Sequence, residues 1–133
     1  MDISGSIVSI RPQLSLLDLR EAREDGYATV VSHRPDGEEP GQPTSESLAA
    51  EARRLGLDFV WIPVSGLPDA TAVEATADVL RRSSAERPVL MFCRSGMRST
   101  VAWAMAMCAD GADPDEVRAA AAAAGYDLSR VPL

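Results

Sequence analysis

The stretch Val89-Leu90-Met91-Phe92-Cys93-Arg94-Ser95-Gly96-Met97-Arg98-Ser99-Thr100 decides how this chain is read. Four apolar, β-prone residues run into a cysteine, a glycine-containing turn follows, and a helical pattern begins near Arg98. Strand, tight loop and helix in that order make one unit of an α/β sheet. In such a loop the backbone N–H groups converge on one point, which the positive end of the helix also faces. Arg94 and Arg98 add fixed positive charge at the same place. All three effects favour S⁻ over SH, so Cys93 is expected to be a thiolate nucleophile in an anion cradle. Arg94, Ser95, Gly96, Met97 and Ser99 are the expected substrate-binding residues around it. An inert core cysteine needs neither the glycine three residues on nor two arginines in the same turn. Cys108, on the apolar face of the following helix, reads as that inert kind.

Outward from this unit, strands and helices alternate. Residues 7–10 read as a short strand, and Ser15 opens an amphipathic helix that Gly26 ends. Residues 27–32 are a second strand. The stretch His33-Arg34-Pro35-Asp36-Gly37-Glu38-Glu39-Pro40-Gly41-Gln42-Pro43 follows, and its prolines and glycines exclude regular structure. A connection of this length in a small domain is functional or mobile. Thr44 or Ser45 caps a helix running to Gly56, residues 57–64 are a near-continuous apolar third strand, and Asp69 or Thr71 caps a helix to about residue 83. Residues 88–92 are the fourth strand. Two helices close the chain, the second capped by Asp113 with Pro114 in its first turn and Gly125 past its end. The pattern predicts an α/β domain over residues 1–133, a mostly parallel sheet of four to five strands covered by helices on both faces. In such sheets ligands bind at the carboxyl ends of strands, which is where Cys93 falls.

Composition narrows the function. The 133 residues carry a net charge of −7, and every one of the thirteen basic residues is arginine. An acidic domain without a basic stripe is a poor nucleic-acid binder. A small cationic pocket around Cys93 would admit small anions more readily than polyanions. The opening Met1-Asp2-Ile3-Ser4-Gly5-Ser6 has neither the basic nor the apolar region of a secretory leader, and no apolar run is long enough to span a bilayer. Two cysteines make no disulfide framework, so a soluble cytoplasmic protein with no membrane partner is expected. Cys108 lies ten residues into the helix counted from Arg98, roughly 15 Å along its axis, too far to resolve an oxidised Cys93. One histidine and two distant cysteines supply no metal site, and no cofactor is expected.

Two enzyme superfamilies place a cysteine on this element. Cysteine phosphatases carry a Cys, five residues and an Arg, so that seven residues wrap the oxygens of a phosphate. Rhodanese-like sulfurtransferases use a loop one residue shorter. Four residues separate Cys93 from Arg98, and the string Cys93-Arg94-Ser95-Gly96-Met97-Arg98-Ser99 resembles the rhodanese loops. The tighter ring of donors suits the terminal sulfur of a persulfide. Phe92 stands where the phosphatases usually place histidine. Phosphatases also need a general acid for the leaving alkoxide, for which Asp69, on the loop after the third strand, is the best placed and Asp36 the second. Sulfite leaves thiosulfate with little need of protonation. His33 reads as a turn or surface residue, since a thiolate held by amides and arginines needs no base. Arg34, beside Asp36, Glu38 and Glu39, reads as an anchor of the long loop by ion pairs, with substrate binding as the alternative.

Over nearly its whole length the sequence resembles a bacterial family described as the phosphatase-like domain of β-lactamase-hydrolase-like proteins. The resemblance rests on residues 34–43, on Ile62-Pro63-Val64, on residues 93–100 with Trp103, and on Ala124-Gly125-Tyr126-Asp127. The chain departs from the family at His33, Phe92 and Met97, where asparagine, tyrosine and threonine are common. The resemblance implies a cysteine-phosphatase-like fold, with a rhodanese-like fold as the alternative. Some members are fused to a metallo-β-lactamase-type persulfide dioxygenase, which implies persulfide metabolism and such a dioxygenase as partner.

The leading expectation is therefore a sulfurtransferase of rhodanese type. Cys93 would take sulfane sulfur from thiosulfate or a persulfide and pass it, as a Cys93 persulfide, to a thiol or cyanide. The alternative is a phosphatase working through a cysteine-phosphate, with Cys93 as nucleophile, Arg98 clamping the oxygens and Asp69 as acid. A third expectation, from another class, is a non-catalytic anion- or persulfide-binding module.

Overall fold

The computed structural model describes residues 2–3 and 7–133. Met1 and residues 4–6, part of the opening read above as lacking a leader, lie outside the described residues. The chain runs β1 (Asp2–Ile3), β2 (Val8–Arg11), α1 (Leu16–Glu24), β3 (Thr29–Ser32), α2 (Ser45–Leu55), β4 (Asp58–Trp61), α3 (Ala70–Arg81), β5 (Val89–Phe92), α4 (Met97–Ala109) and α5 (Pro114–Ala123). The strands form one sheet in the order β1-β2-β5-β3-β4. β2, β5, β3 and β4 are parallel, and β1 pairs antiparallel with β2.

β5 is the centre of the sheet, and all four of its residues are buried. Because side chains alternate across a strand, its residues split between the two faces. Val89 and Met91 join Val8, Ile10, Val31, Val101, Trp103, Val117 and Leu128 in a core under α3, α4 and α5. Leu90 and Phe92 join Leu19, Val30, Leu48 and Ala52 under α1 and α2. Burial on both faces explains why the strand reads as a continuous apolar run.

The expected helix signals act where the sequence places them. Ser15 and Asp18 form a reciprocal capping box on α1, Thr44 caps α2, Asp69 caps α3, and Asp113 caps α5 with Pro114 in its first turn. Two strand readings change. The two-residue β1 is an addition, and β4 ends at Trp61 rather than running to Val64. Main-chain bonds continue past Trp61, the Ile62 N–H donating to the Ser32 carbonyl (2.8 Å) and the Val64 N–H to the His33 carbonyl (2.9 Å). Pro63, which has no N–H, therefore sits with its nitrogen toward the outer edge of the sheet while Ile62 and Val64 stay buried. Among the described residues, no helix is long and apolar enough to cross a membrane.

Candidate active site

The register of the parallel strands sets Arg11, Phe92 and Ser32 side by side, and Ser32 beside Trp61. The residues just past these ends therefore share one edge of the sheet. Cys93 follows β5 there, His33 follows β3, and Ile62 to Val64 follow β4. Main-chain bonds tie them together. The His33 N–H donates to the Phe92 carbonyl (2.9 Å), the Val64 N–H to the His33 carbonyl (2.9 Å), and the Gln13 N–H to the Arg94 carbonyl (3.2 Å).

Cys93 is fully buried, and its Sγ accepts a hydrogen bond from the Gly96 N–H at 3.1 Å. The turn that makes this bond needs a glycine. Gly96 lies at φ +96°, a left-handed conformation that side-chain-bearing residues avoid, and a Cβ there would stand 2.3 Å from the Tyr126 hydroxyl oxygen. Gly96 also serves as N-cap of α4, and its carbonyl accepts from both the N–H and the hydroxyl of Thr100. Cys93 thus faces the N-terminus of a thirteen-residue helix, the layout expected of an anion cradle.

The arginines are held by glutamates of the long loop. Arg98 donates from Nη1 to Glu38 Oε2 (2.8 Å) and from Nη2 to Glu38 Oε1 (2.7 Å), and Nη1 also reaches the Val64 carbonyl (2.8 Å). Arg34 is almost wholly buried and donates to Glu38 Oε1 (2.8 Å), Glu39 Oε1 (2.9 Å) and Gln13 Oε1 (2.9 Å). Arg94 is exposed, 3.6 Å from Glu39. The two arginine bonds hold the Glu38 carboxyl far below the usual range, at about 2, so it is ionised at any working pH. Glu38 in turn raises the Arg98 guanidinium, with the nearby Cys93 adding to the effect. The small cationic pocket expected from sequence is therefore corrected: Cys93 is buried, and the positive charge of the arginines near it is largely matched by Glu38 and Glu39.

His33 is also corrected, from the turn or surface to the interior. It has no exposed surface, and its Nδ1 and Nε2 lie 2.8 Å from Ser99 Oγ and 3.0 Å from Thr76 Oγ1. Burial, reinforced by the positive charge of Arg98, lowers it to about 4, so the ring is neutral. It fixes the residue next to Arg98 rather than moving protons at the surface. The interactions of Asp69 are those of a helix cap, with Oδ1 accepting from the Ala72 N–H (2.8 Å). Asp36 accepts from both the N–H and the hydroxyl of Ser45 (both 2.8 Å). Met97 packs against the core, Ser95 is exposed with its Oγ accepting from the Met97 N–H (3.3 Å), and Ser99 is buried on His33. Among the described residues, no group of three or more His, Cys, Asp or Glu side chains is placed to hold a metal ion.

Two neighbours of Cys93 carry no local sequence signal. Glu38 reaches Arg98 across 60 residues of chain. Tyr126 comes from beyond α5 to lie against Gly96, and burial first and the nearby Cys93 second raise its hydroxyl.

The phosphatase-like domain model of beta-lactamase hydrolase-like proteins matches residues 3–110. The chain belongs to this family. A beta-lactamase hydrolase-like protein of Xylella fastidiosa is 40% identical to the domain over 108 residues, covering 79% of this chain and 24% of that protein. One of Agrobacterium fabrum is 33% identical over 104 residues, covering 78% of this chain and again 24% of the other. The chain thus spans about a quarter of the length of these relatives. A crystal structure from Neisseria meningitidis, described as a candidate phosphatase, superposes on the phosphatase-like domain with a TM-score of 0.76. It is 30% identical, over 91% of this chain and 85% of the other. Kinase-associated phosphatase, solved with its catalytic-site cysteine replaced by serine, has a TM-score of 0.67 at 16% identity over 85% of this chain and 71% of the other, a likeness of fold. The fold is cysteine-phosphatase-like, and the comparisons favour the phosphatase expectation over sulfur transfer.

Proposed function

We propose that the domain is a cysteine-dependent phosphatase acting on a small phosphomonoester. The observation that carries this reading is Cys93 at the carboxyl end of the central strand, facing the N-terminus of α4 with Arg98 in the first turn, on a phosphatase fold. The Cys93 thiolate attacks phosphorus, the S–P bond forms and the P–O bond to the alcohol breaks. A proton from the Asp69 carboxyl goes to the leaving oxygen. Water, giving its proton to the Asp69 carboxylate, then cleaves the S–P bond and releases phosphate. Backbone N–H groups of residues 94–98 and the Arg98 guanidinium hold the phosphoryl oxygens as charge shifts among them.

A second reading, sulfur transfer, is favoured by two specific features. The loop is one residue shorter than the phosphatase loop, and the Arg98 fork is already filled by a carboxylate. Here the thiolate attacks the outer sulfur of thiosulfate, sulfite leaves, and the Cys93 persulfide hands its sulfur to a thiol or cyanide.

One experiment separates the two. The reduced protein is assayed for phosphate release from p-nitrophenyl phosphate, and its intact mass is measured after exposure to thiosulfate. The phosphatase reading expects turnover that Cys93→Ser abolishes. A gain of about 32 Da, absent in Cys93→Ser and removed by cyanide, with no phosphate release, would replace it by sulfur transfer. Neither signal would leave a binding module.

A further inference from the structure

The loop over the active site supplies a carboxylate with the shape of a substrate. The planar Glu38 carboxylate lies end-on to Arg98, one oxygen on each terminal nitrogen at 2.7 and 2.8 Å. That fork is the surface of a guanidinium that a phosphate or sulfonate takes. Cys93, beneath, has no exposed surface.

We infer that Glu38 is a specificity-determining residue: its carboxylate occupies the oxyanion seat on Arg98, and an incoming anion must displace it. The displacement needs no opening of the loop. The Glu38 N–H is held by Gln42 Oε1 (3.0 Å), and Gln42 is anchored to the Pro35 carbonyl (2.8 Å). Only the carboxylate end has to turn. Glu38 already shares Oε1 with Arg34 Nε at 2.8 Å, and the buried Arg34 is fixed by Gln13 and Glu39. A carboxylate that gives up Arg98 therefore keeps a charged partner. Arg98, for its part, keeps the Val64 carbonyl and so its position.

The exchange selects by charge. Arg34, Arg94 and Arg98 stand against Glu38 and Glu39, three positive charges to two negative. An anion seated beside the displaced Glu38 is repelled in proportion to its own charge. Glu38 consequently weakens the hold of the seat on a dianion, the charge of a phosphomonoester near neutral pH, more than its hold on a monoanion of the same shape.

The inference rests on the Cys93 loop being an oxyanion seat, whichever group is transferred. The test compares sulfate and methanesulfonate, which share a tetrahedral head but differ by one charge. Both are titrated into the full chain while the amide resonances of Gly96 and Met97 are followed by NMR. In Glu38→Gln, sulfate is expected to bind about tenfold more tightly than in the wild type and methanesulfonate only about threefold. Glu39→Gln, which removes an equal charge from Arg34 and Arg94 but does not touch Arg98, should raise sulfate binding clearly less than Glu38→Gln does. Glu38→Ala repeats the sulfate gain if the effect is loss of the competing charge. Weaker or unchanged sulfate binding in both Glu38 variants would overturn the inference and make Glu38 a support for Arg98. Shifts at Gly96 and Met97 absent in every variant would instead sink the oxyanion seat itself, and the proposed function with it.

Discussion

His33 is a neutral imidazole, fully buried and clamped between two hydroxyls. Folding lowers it to about 4, through burial first and Arg98 second, whereas an unfolded histidine titrates near its ordinary value of 6.5. Between these values the unfolded chain takes up a proton that the folded chain refuses. Stability is therefore complete above pH 6.5 and is lost as the pH falls toward 4, by about 3 kcal/mol at the bottom of the window. Glu38, lowered to about 2, is linked to stability with the same sign but only below pH 4.5, so the two windows barely overlap. Urea titrations at steps from pH 7 to 4.5 should show the slope, and His33→Gln should remove most of it. A slope unchanged in His33→Gln would show that His33 is not its source. No sequence signal pointed to this burial. The partners Ser99 and Thr76 are 66 and 43 residues away, on α4 and α3, and a lone histidine after a strand looks the same whether the sheet edge is open or covered. The cysteine loop was legible for the opposite reason: Cys93, Gly96 and Arg98 are local to one turn, and the geometry they require is written in their spacing.

At the scale of elements, Asp69 has two assignments that one substitution separates. As N-cap of α3 it accepts from the Ala72 N–H, a bond that asparagine also makes. As general acid it must carry a proton that asparagine cannot. Asp69→Asn is expected to leave the urea midpoint nearly unchanged while phosphate release falls about a hundredfold or more. Asp69→Ala should lose about 1 kcal/mol of stability in addition. Release unaffected in Asp69→Asn would reduce Asp69 to a cap. The helices were legible to within a residue or two because capping is local chemistry, as at Ser15 with Asp18 and at Asp113 with Pro114. Strand limits were less so. The apolar run continues past β4 through Ile62 and Val64 because burial continues there, and their N–H groups still bond to the Ser32 and His33 carbonyls although the regular strand ends at Trp61. β1 is two residues long and exists only through its pairing with Val8 and Ser9, which no pattern of its own announces.

At the scale of the molecule, alternation of strands and helices gave a parallel sheet with two covered faces, but not the strand order. The last strand of the chain inserts between the first and second of the parallel set, a choice made by long-range packing of β5. That packing contains one imperfection. Trp103, on α4, is 1% exposed in the core under α3, α4 and α5, and its Nε1–H has no hydrogen-bond partner among the described residues. A buried donor left unpaired costs about 1–3 kcal/mol. Replacing the indole by the smaller phenyl ring removes that cost but gives up buried area and leaves a small void, at about 1–2 kcal/mol. The two changes oppose each other at the same site, so Trp103→Phe is expected to change unfolding free energy by less than about 1 kcal/mol, while Trp103→Ala loses about 3–5 kcal/mol. Urea denaturation of the two variants measures both. A loss above about 2 kcal/mol in Trp103→Phe would mean that the indole N–H is satisfied in solution, by a water within the core.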